Sequence, residues 1–275
     1  MDLASRLSAS RSRLAAAALL FAAAALAIAP ARAGTAEIHA RFASRFDAPA
    51  QFDVLESPFR GMYLIVDRAA SLRHAPLIVD RGVTLLFDGQ WHRVTGRNAM
   101  VGVPGKQAEA LRRRLAQGIA REKFVAIRYG QGRRTIILNQ AVDCGWCRRF
   151  ERNLEAASRS LDATFYFIPG AVNASDPEKI AVAERIYCAK HRAAAWRDWM
   201  LRNVAPRSGD CHAGAYRLHI AVADVLFRGR GTPAALLEDG RIIAPGAASS
   251  AALEEAFGAR SGAAPLRRVR LQEAR

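Results

Sequence analysis

Arg134-Thr135-Ile136-Ile137-Leu138-Asn139, then Cys144-Gly145-Trp146-Cys147, then Arg148-Arg149-Phe150-Glu151-Arg152-Asn153-Leu154-Glu155-Ala156-Ala157 is the stretch on which the fold is decided. The first segment reads as a buried strand and the last as a helix, so Cys144 falls at a helix N-terminus. Free backbone N–H groups and the positive end of the helix dipole favour a thiolate there. The thiolate is the species that attacks disulfides, which makes Cys144 the expected nucleophile and Cys147, one turn deeper, the expected resolving thiol. Two cysteines at this spacing can also hold a metal. The strand–turn–helix setting favours redox chemistry instead, and no metal and no cofactor are expected.

Residues 1–33 read as a cleavable secretory signal. Arg6, Arg11 and Arg13 form a positive start, Leu14 to Ile28 is an unbroken apolar run, and Ala31-Arg32-Ala33 is an A-x-A cleavage site that leaves Gly34 at the mature N-terminus. The run is shorter than the about 20 residues a membrane-spanning helix needs. It holds no cysteine for lipid attachment, and Arg11-Ser12-Arg13 is not a twin arginine. The expected destination is a bacterial periplasm, where disulfides persist.

The chain has 41 Lys+Arg and 25 Asp+Glu; the first 33 residues hold four arginines and one aspartate, which leaves 37 against 24, or +13, for the remainder. A basic balance invites a nucleic-acid or membrane-surface reading. The charge is mostly arginine spread thinly along the chain, with no RNA-binding signature or zinc finger, so no specific nucleic acid is expected. Four cysteines, Cys144, Cys147, Cys188 and Cys211, allow three pairings. If Cys144 pairs with Cys147, Cys188 and Cys211 remain, and a bridge between them would be worth roughly 3 kcal/mol by loop closure. Cys188-Ala189-Lys190-His191 offers a competing Cys3His metal set with Cys144 and Cys147, which would quench the nucleophile.

Along the chain, residues 34–60 carry no clear pattern. Met62 to Val66, Pro76 to Val79, Val83 to Phe87 and Gln90 to Val94 read as strands, with Asp88-Gly89 as a hairpin turn. Gly96 and Gly102 to Gly105 break the pattern. Residues 106–122 read as a helix with Ala108, Leu111, Leu115 and Ile119 on one face, a connector whose apolar stripe is only partly covered. Strands at 124–129, 135–138 and 163–168 follow, the last ended by Pro169-Gly170. Ser175-Asp176-Pro177-Glu178 is a capping box opening a helix that runs to about Lys190. Helices over 193–202 and 213–227 follow, then a hairpin at 233–243 and a closing helix over 251–257. Trp196 and Trp199 read as core residues, His212 as an exposed loop residue, and residues 263–275 as a basic tail.

Cys144-Gly145-Trp146-Cys147, Ile186-Tyr187-Cys188-Ala189-Lys190 with Cys211, and Gly231-Thr232-Pro233-Ala234 followed by Asp239-Gly240-Arg241 resemble the DsbC/DsbG family of periplasmic disulfide isomerases. Ser57-Pro58-Phe59-Arg60-Gly61-Met62 resembles the start of that family's dimerisation strands, while residues 69–80 run longer than the family pattern. The resemblance implies an α+β chain. A small β-rich, cystatin-like dimerisation domain (34–104) would lead through a linker helix (105–122) into a thioredoxin-like catalytic domain with a helical insertion (123–262). It implies a homodimer, a cis proline at Pro233 against the CxxC pair, client binding by Thr232, a structural disulfide between Cys188 and Cys211, and tuning of the thiolate by Gly145 and Trp146. The expected function is isomerisation or reduction of wrong disulfides in unfolded or misoxidised secreted proteins, with chaperone-like client binding and a membrane electron donor that keeps the pair reduced. A dithiol oxidase and a specialised chaperone are the alternatives.

Overall fold

A computed structural model describes residues 30–47, 51–68, 76–119, 121–207, 209, 211 and 215–258. The apolar run of the expected signal, His212 and the basic tail lie outside the described residues. The first half is a helix, α1 (Pro30–Arg45), and a six-stranded sheet in chain order: β1 (Phe52–Glu56), β2 (Met62–Asp67), β3 (Leu77–Asp80), β4 (Leu85–Phe87), β5 (Trp91–Gly96) and β6 (Ala99–Gly102). Every neighbouring pair in it is antiparallel.

Side chains alternate across a strand, so this sheet buries both faces. One face sends Phe52, Ile65, Val79, Leu86 and Val94 against Ile38 and Phe42 of α1. The other sends Leu64, Ile78, Phe87 and Trp91 into a core shared with the second half of the chain. Two elements here correct the sequence reading. Helix α1 occupies part of the unassigned segment 34–60, because the deeply buried pair Ile38 and Phe42, the only one among its described side chains, is too short a stripe to declare a helix. Both residues lie beyond the Ala33-Gly34 junction, so cleavage there would spare the packing face. Strand β6 falls in the stretch left unassigned between the breaks at Gly96 and Gly102; all four of its residues are exposed and its pairing with β5 defines it.

Helix α2 (Gly105–Gln117) stops at Gln117, five residues earlier than expected. Gly118 closes it by donating to the Arg114 and Leu115 carbonyls, while its own carbonyl accepts from Arg60 N–H at 2.9 Å. Ile119 then bridges to Phe59. The apolar stripe is buried, not half-covered: Ala108, Leu115, Ala116 and Ile119 all sit in the shared core, with Leu111 packed against it.

The second half alternates as expected: β7 (Val125–Arg128), β8 (Arg134–Ala141), α3 (Gly145–Ala156), β9 (Ala163–Gly170), α4 (Pro177–Cys188), α5 (Arg192–Arg202), α6 (Ala215–Leu226), β10 (Ala234–Leu236), β11 (Ile242–Ile243) and α7 (Ser250–Phe257). The sheet order is β11-β10-β8-β9-β7, with β8 and β9 parallel and central. Strand β9 runs through Pro169-Gly170 rather than ending before them. Its pairing with β7 has already ended at Phe167, so no neighbour on that side requires the missing proline N–H. The cap of α4 is Asp176, which accepts from Glu178 and Lys179 N–H, and not Ser175. Among the described residues no helix is long and apolar enough to cross a membrane.

Candidate active site

The C-terminal end of β8 aims Cys144 at the start of α3. Cys144 is the helix N-cap, in extended conformation, and its sulfur accepts the Cys147 N–H at 3.1 Å. That is the position where an oxygen side chain ordinarily receives an orphan amide; here the sulfur takes the role. Cys147 is fully buried and Cys144 is 6 % exposed, so the first sulfur is less open than a bare helix start suggests.

The two thiols titrate in opposite directions. Cys144 is held down to about 6 by the Cys147 thiol first, then by the Thr232 side chain and the N–H groups of Cys147 and Trp146, against burial, which pushes it up. Cys147 is driven far above the ordinary thiol range by burial first and by the neighbouring Cys144 second. One sulfur is therefore a thiolate at neutral pH and the other a reservoir for the proton it must later lose.

The segment facing this pair precedes β10. The Thr232-Pro233 peptide bond is cis, and the Thr232 carbonyl lies 3.4 Å from the Cys144 sulfur. Asn139 of β8 donates to the Gly231 carbonyl at 3.4 Å. Gly246 closes the far side: a Cβ there would stand 3.0 Å from Pro233 Cδ and 3.4 Å from Trp146 Cβ. Trp146 is 54 % exposed beside the pair, with the Arg149 guanidinium carbon 5.6 Å from its ring centre. Gly145 has open space around it.

Several residues that hold the site carried no legible role in the sequence. Asp143 accepts the Val172 and Asn173 N–H groups at 2.7 and 3.2 Å, tying the end of β9 to the residue before the nucleophile. Trp199 donates to the Val142 carbonyl at 2.8 Å, and Arg148 donates to the Trp199 and Met200 carbonyls. Beneath Cys147, one helical turn on, the buried Glu151 accepts from Gln140 at 2.5 Å and from Trp196 at 2.9 Å. Burial raises Glu151 to about 7. Cys188 at the end of α4 is disulfide-bonded to Cys211, with Cα atoms 5.3 Å apart, and so cannot join Cys144 and Cys147 around a metal. Among the described residues no group of three or more His, Cys, Asp or Glu could hold a metal ion.

A strand–CxxC–helix unit facing a cis proline, on a five-stranded mixed sheet, agrees with a family match: residues 124–260 fit the family described as thioredoxin-like domain. The match covers just under half of the chain. Among curated proteins, those titled probable thiol:disulfide interchange protein DsbC from Bordetella parapertussis, Bordetella bronchiseptica and Bordetella pertussis are each 27% identical over 111 residues. That stretch is 40% of this chain and 37% of each relative, so the match spans little more than a third of their length. A solved disulfide interchange protein from Neisseria gonorrhoeae aligns with a TM-score of 0.39 at 24% identity, over 45% of this chain and 85% of that one. The thioredoxin-like domain thus accounts for β7 through α7, including all four cysteines, while α1 through α2 lie outside the matched residues.

Proposed function

We propose that this protein is a periplasmic thiol:disulfide interchange enzyme that isomerises or reduces incorrect disulfides in secreted proteins. The observation that carries the reading is the asymmetry of the CxxC pair: a Cys144 thiolate stabilised at the start of α3 beside a buried, protonated Cys147. The names of the Bordetella relatives support it.

The Cys144 thiolate attacks one sulfur of a client disulfide. A mixed disulfide forms, the client S–S bond breaks, and the second client sulfur leaves as thiolate. That thiolate can attack another bond in the same client. When the rearranged client sulfur returns to displace Cys144, no net electrons have moved. If the client stalls, Cys147 loses its proton and attacks the Cys144 sulfur. The client leaves reduced by two electrons, and the Cys144–Cys147 pair is left oxidised. A membrane electron donor then has to restore it. Thr232 and Pro233 form the wall along which an extended client segment lies, Gly145 and Trp146 tune the thiolate, and the Cys188–Cys211 bridge serves structure. The α1–β6 domain would pair with a second copy to form a dimer, holding two catalytic sites around one chaperone-like client cleft.

The test is reactivation of scrambled ribonuclease by the reduced mature chain, alongside Cys144→Ser and Cys147→Ser and a measurement of oligomeric mass. The reading expects a dimer, activity abolished by Cys144→Ser, and mixed disulfides trapped by Cys147→Ser. A chain that restores no native disulfides, or reactivates equally well without Cys144, overturns it.

A further inference from the structure

The segment that carries Thr232 and Pro233 is gripped at both ends by residues from the first half of the chain. At its start, Arg228 packs on the β4–β5 turn. Gly89 there has φ +110°, and a Cβ on it would meet Arg228 Cβ at 2.6 Å. At its end, the turn between β10 and β11 is pressed against α2. Gly240 is buried with φ +89°, and a Cβ on it would stand 1.9 Å from the Glu109 carbonyl oxygen and 3.1 Å from Arg113 N. Only glycine permits so close an approach of helix and hairpin at that backbone conformation. In the same seam Arg112, half-buried, donates from Nε to the Gly240 carbonyl at 2.8 Å. Burial lowers the Arg112 proton affinity, as expected for a guanidinium removed from water at a packed junction.

We propose that Arg112 and Gly240 form a latch that docks α2 on the β10–β11 hairpin and so positions the Thr232-Pro233 wall of the active site from outside the thioredoxin-like domain. The mechanical link is short. The turn is closed on itself by Gly240 N–H to the Leu237 carbonyl and Leu237 N–H to the Arg241 carbonyl, both at 2.9 Å. From Leu237 the chain passes back through the three residues of β10, which pair with Asn139, Leu138 and Ile137 of β8, directly to Pro233. A shift of the turn has only that short strand in which to dissipate before it reaches the Cys144 sulfur. Arg112 is thus a positioning residue for the wall, with no contact to the reacting sulfurs. The inference rests on the proposed interchange chemistry for its consequence, but not for its test.

The test is amide hydrogen exchange on the full mature, reduced protein. Arg112→Ala should speed exchange at the Leu237 and Gly240 amides by about five- to tenfold, the effect of one lost partly buried hydrogen bond on a local opening. Exchange at the Ala183 and Ile186 amides of α4 should stay unchanged. Arg112→Lys, which keeps a donor, should lie near the wild type. KM for scrambled ribonuclease should rise with kcat retained, because the Cys147 thiol and the Cys147 and Trp146 N–H groups still hold the Cys144 thiolate. Should the alanine variant fail to fold, Arg112→Gln repeats the measurement with a shorter, uncharged side chain. Unaltered exchange at Leu237 and Gly240, or acceleration spread equally to α4, overturns the latch. An inactive wild type with the expected exchange pattern would instead sink the proposed function and leave the latch standing.

Discussion

Replacing Cys144 by serine should remove a pH-dependent part of the stability of the reduced protein. Serine keeps an N-cap acceptor for the Cys147 N–H, so the helix start is preserved and only the ionisable sulfur is lost. The thiol falls from its ordinary 9.0 to about 6 on folding. A group whose folded affinity for protons is lowered contributes stability that is fully present above its unfolded pKa and is lost as pH falls through the folded value. Each tenfold change in proton affinity is about 1.4 kcal/mol, so the ceiling is about 4 kcal/mol above pH 9, and the contribution at pH 7 is about 1.4 kcal/mol. Two other groups titrate nearby with opposite sign. Glu151, raised to about 7, weakens the fold as pH climbs from the ordinary carboxylate range to 7. Cys147, raised by burial, weakens it above the ordinary thiol range. Glu151 is unaltered by the substitution and cancels in the difference; Cys147 loses the contribution of Cys144 but stays raised by burial, so below pH 8.5 it remains protonated in both folded proteins. Urea unfolding under reducing conditions at pH 5.5, 6.5, 7.5 and 8.5 reads that difference directly. With a slope on the order of 3 kcal/mol per molar urea, the gap at pH 7.5 displaces the midpoint by roughly 0.6 M. The two proteins should coincide near pH 5.5 and separate by about 1.4 kcal/mol per pH unit above pH 6.5. A gap that stays constant across this range would refute the stabilised thiolate and, with it, the assignment of Cys144 as nucleophile.

Glu151→Gln should flatten the opposing limb. The glutamine keeps an oxygen for the Trp196 and Gln140 donors, and the variant should gain up to about 3 kcal/mol over the wild type between pH 4.5 and pH 8, read by the same unfolding series. Gly246→Ala should push Pro233 by a few tenths of an ångström through its new Cβ. Mixed-disulfide formation with a model peptide, followed by stopped flow, should slow about threefold while iodoacetamide still alkylates Cys144 at the wild-type rate.

The placement of the CxxC pair at a helix start was legible because it is local. A strand, a CxxC and a helix start are contiguous in sequence, and of the groups that lower Cys144 the Cys147 thiol and the Cys147 and Trp146 N–H groups lie within three residues of it, while the Thr232 side chain comes from a distant segment. The Thr232-Pro233 wall was reached only through family resemblance; in isolation Gly-Thr-Pro is an ordinary turn. The tethers around the site were not legible at all. Asp143 and Gly246 act through contacts that sequence periodicity does not encode, and Asp143 in particular sits in a loop where an aspartate attracts no notice; Trp199 was legible as a core residue but not as the donor to the Val142 carbonyl. In the first half, β2 to β5 showed themselves by apolar runs around the Asp88-Gly89 turn. Helix α1 did not, since Ile38 and Phe42 are its buried residues among the described side chains and the sequence around them is dominated by alanine and charge. The early stop of α2 came from Gly118 and its contact with Arg60, a tertiary event at a residue helices often tolerate.

The distribution of these contacts separates two properties of the site. The groups that hold the Cys144 thiolate are the Cys147 thiol, the Thr232 side chain and the Cys147 and Trp146 N–H groups, three of the four within three residues of the sulfur. The wall a client would meet is assembled from distant parts: Asn139 on Gly231, Gly246 on Pro233, and, from outside the thioredoxin-like domain, Gly89 on Arg228 and α2 on Gly240. A helix that merely spaced two domains would have no reason to bury an arginine and exclude a Cβ at one hairpin turn. Because α2 is closed at its other end on the Phe59–Met62 turn of the first sheet, a force on that sheet reaches the wall through one rigid element. Changes in the first domain should therefore alter how clients are held before they alter how fast Cys144 reacts.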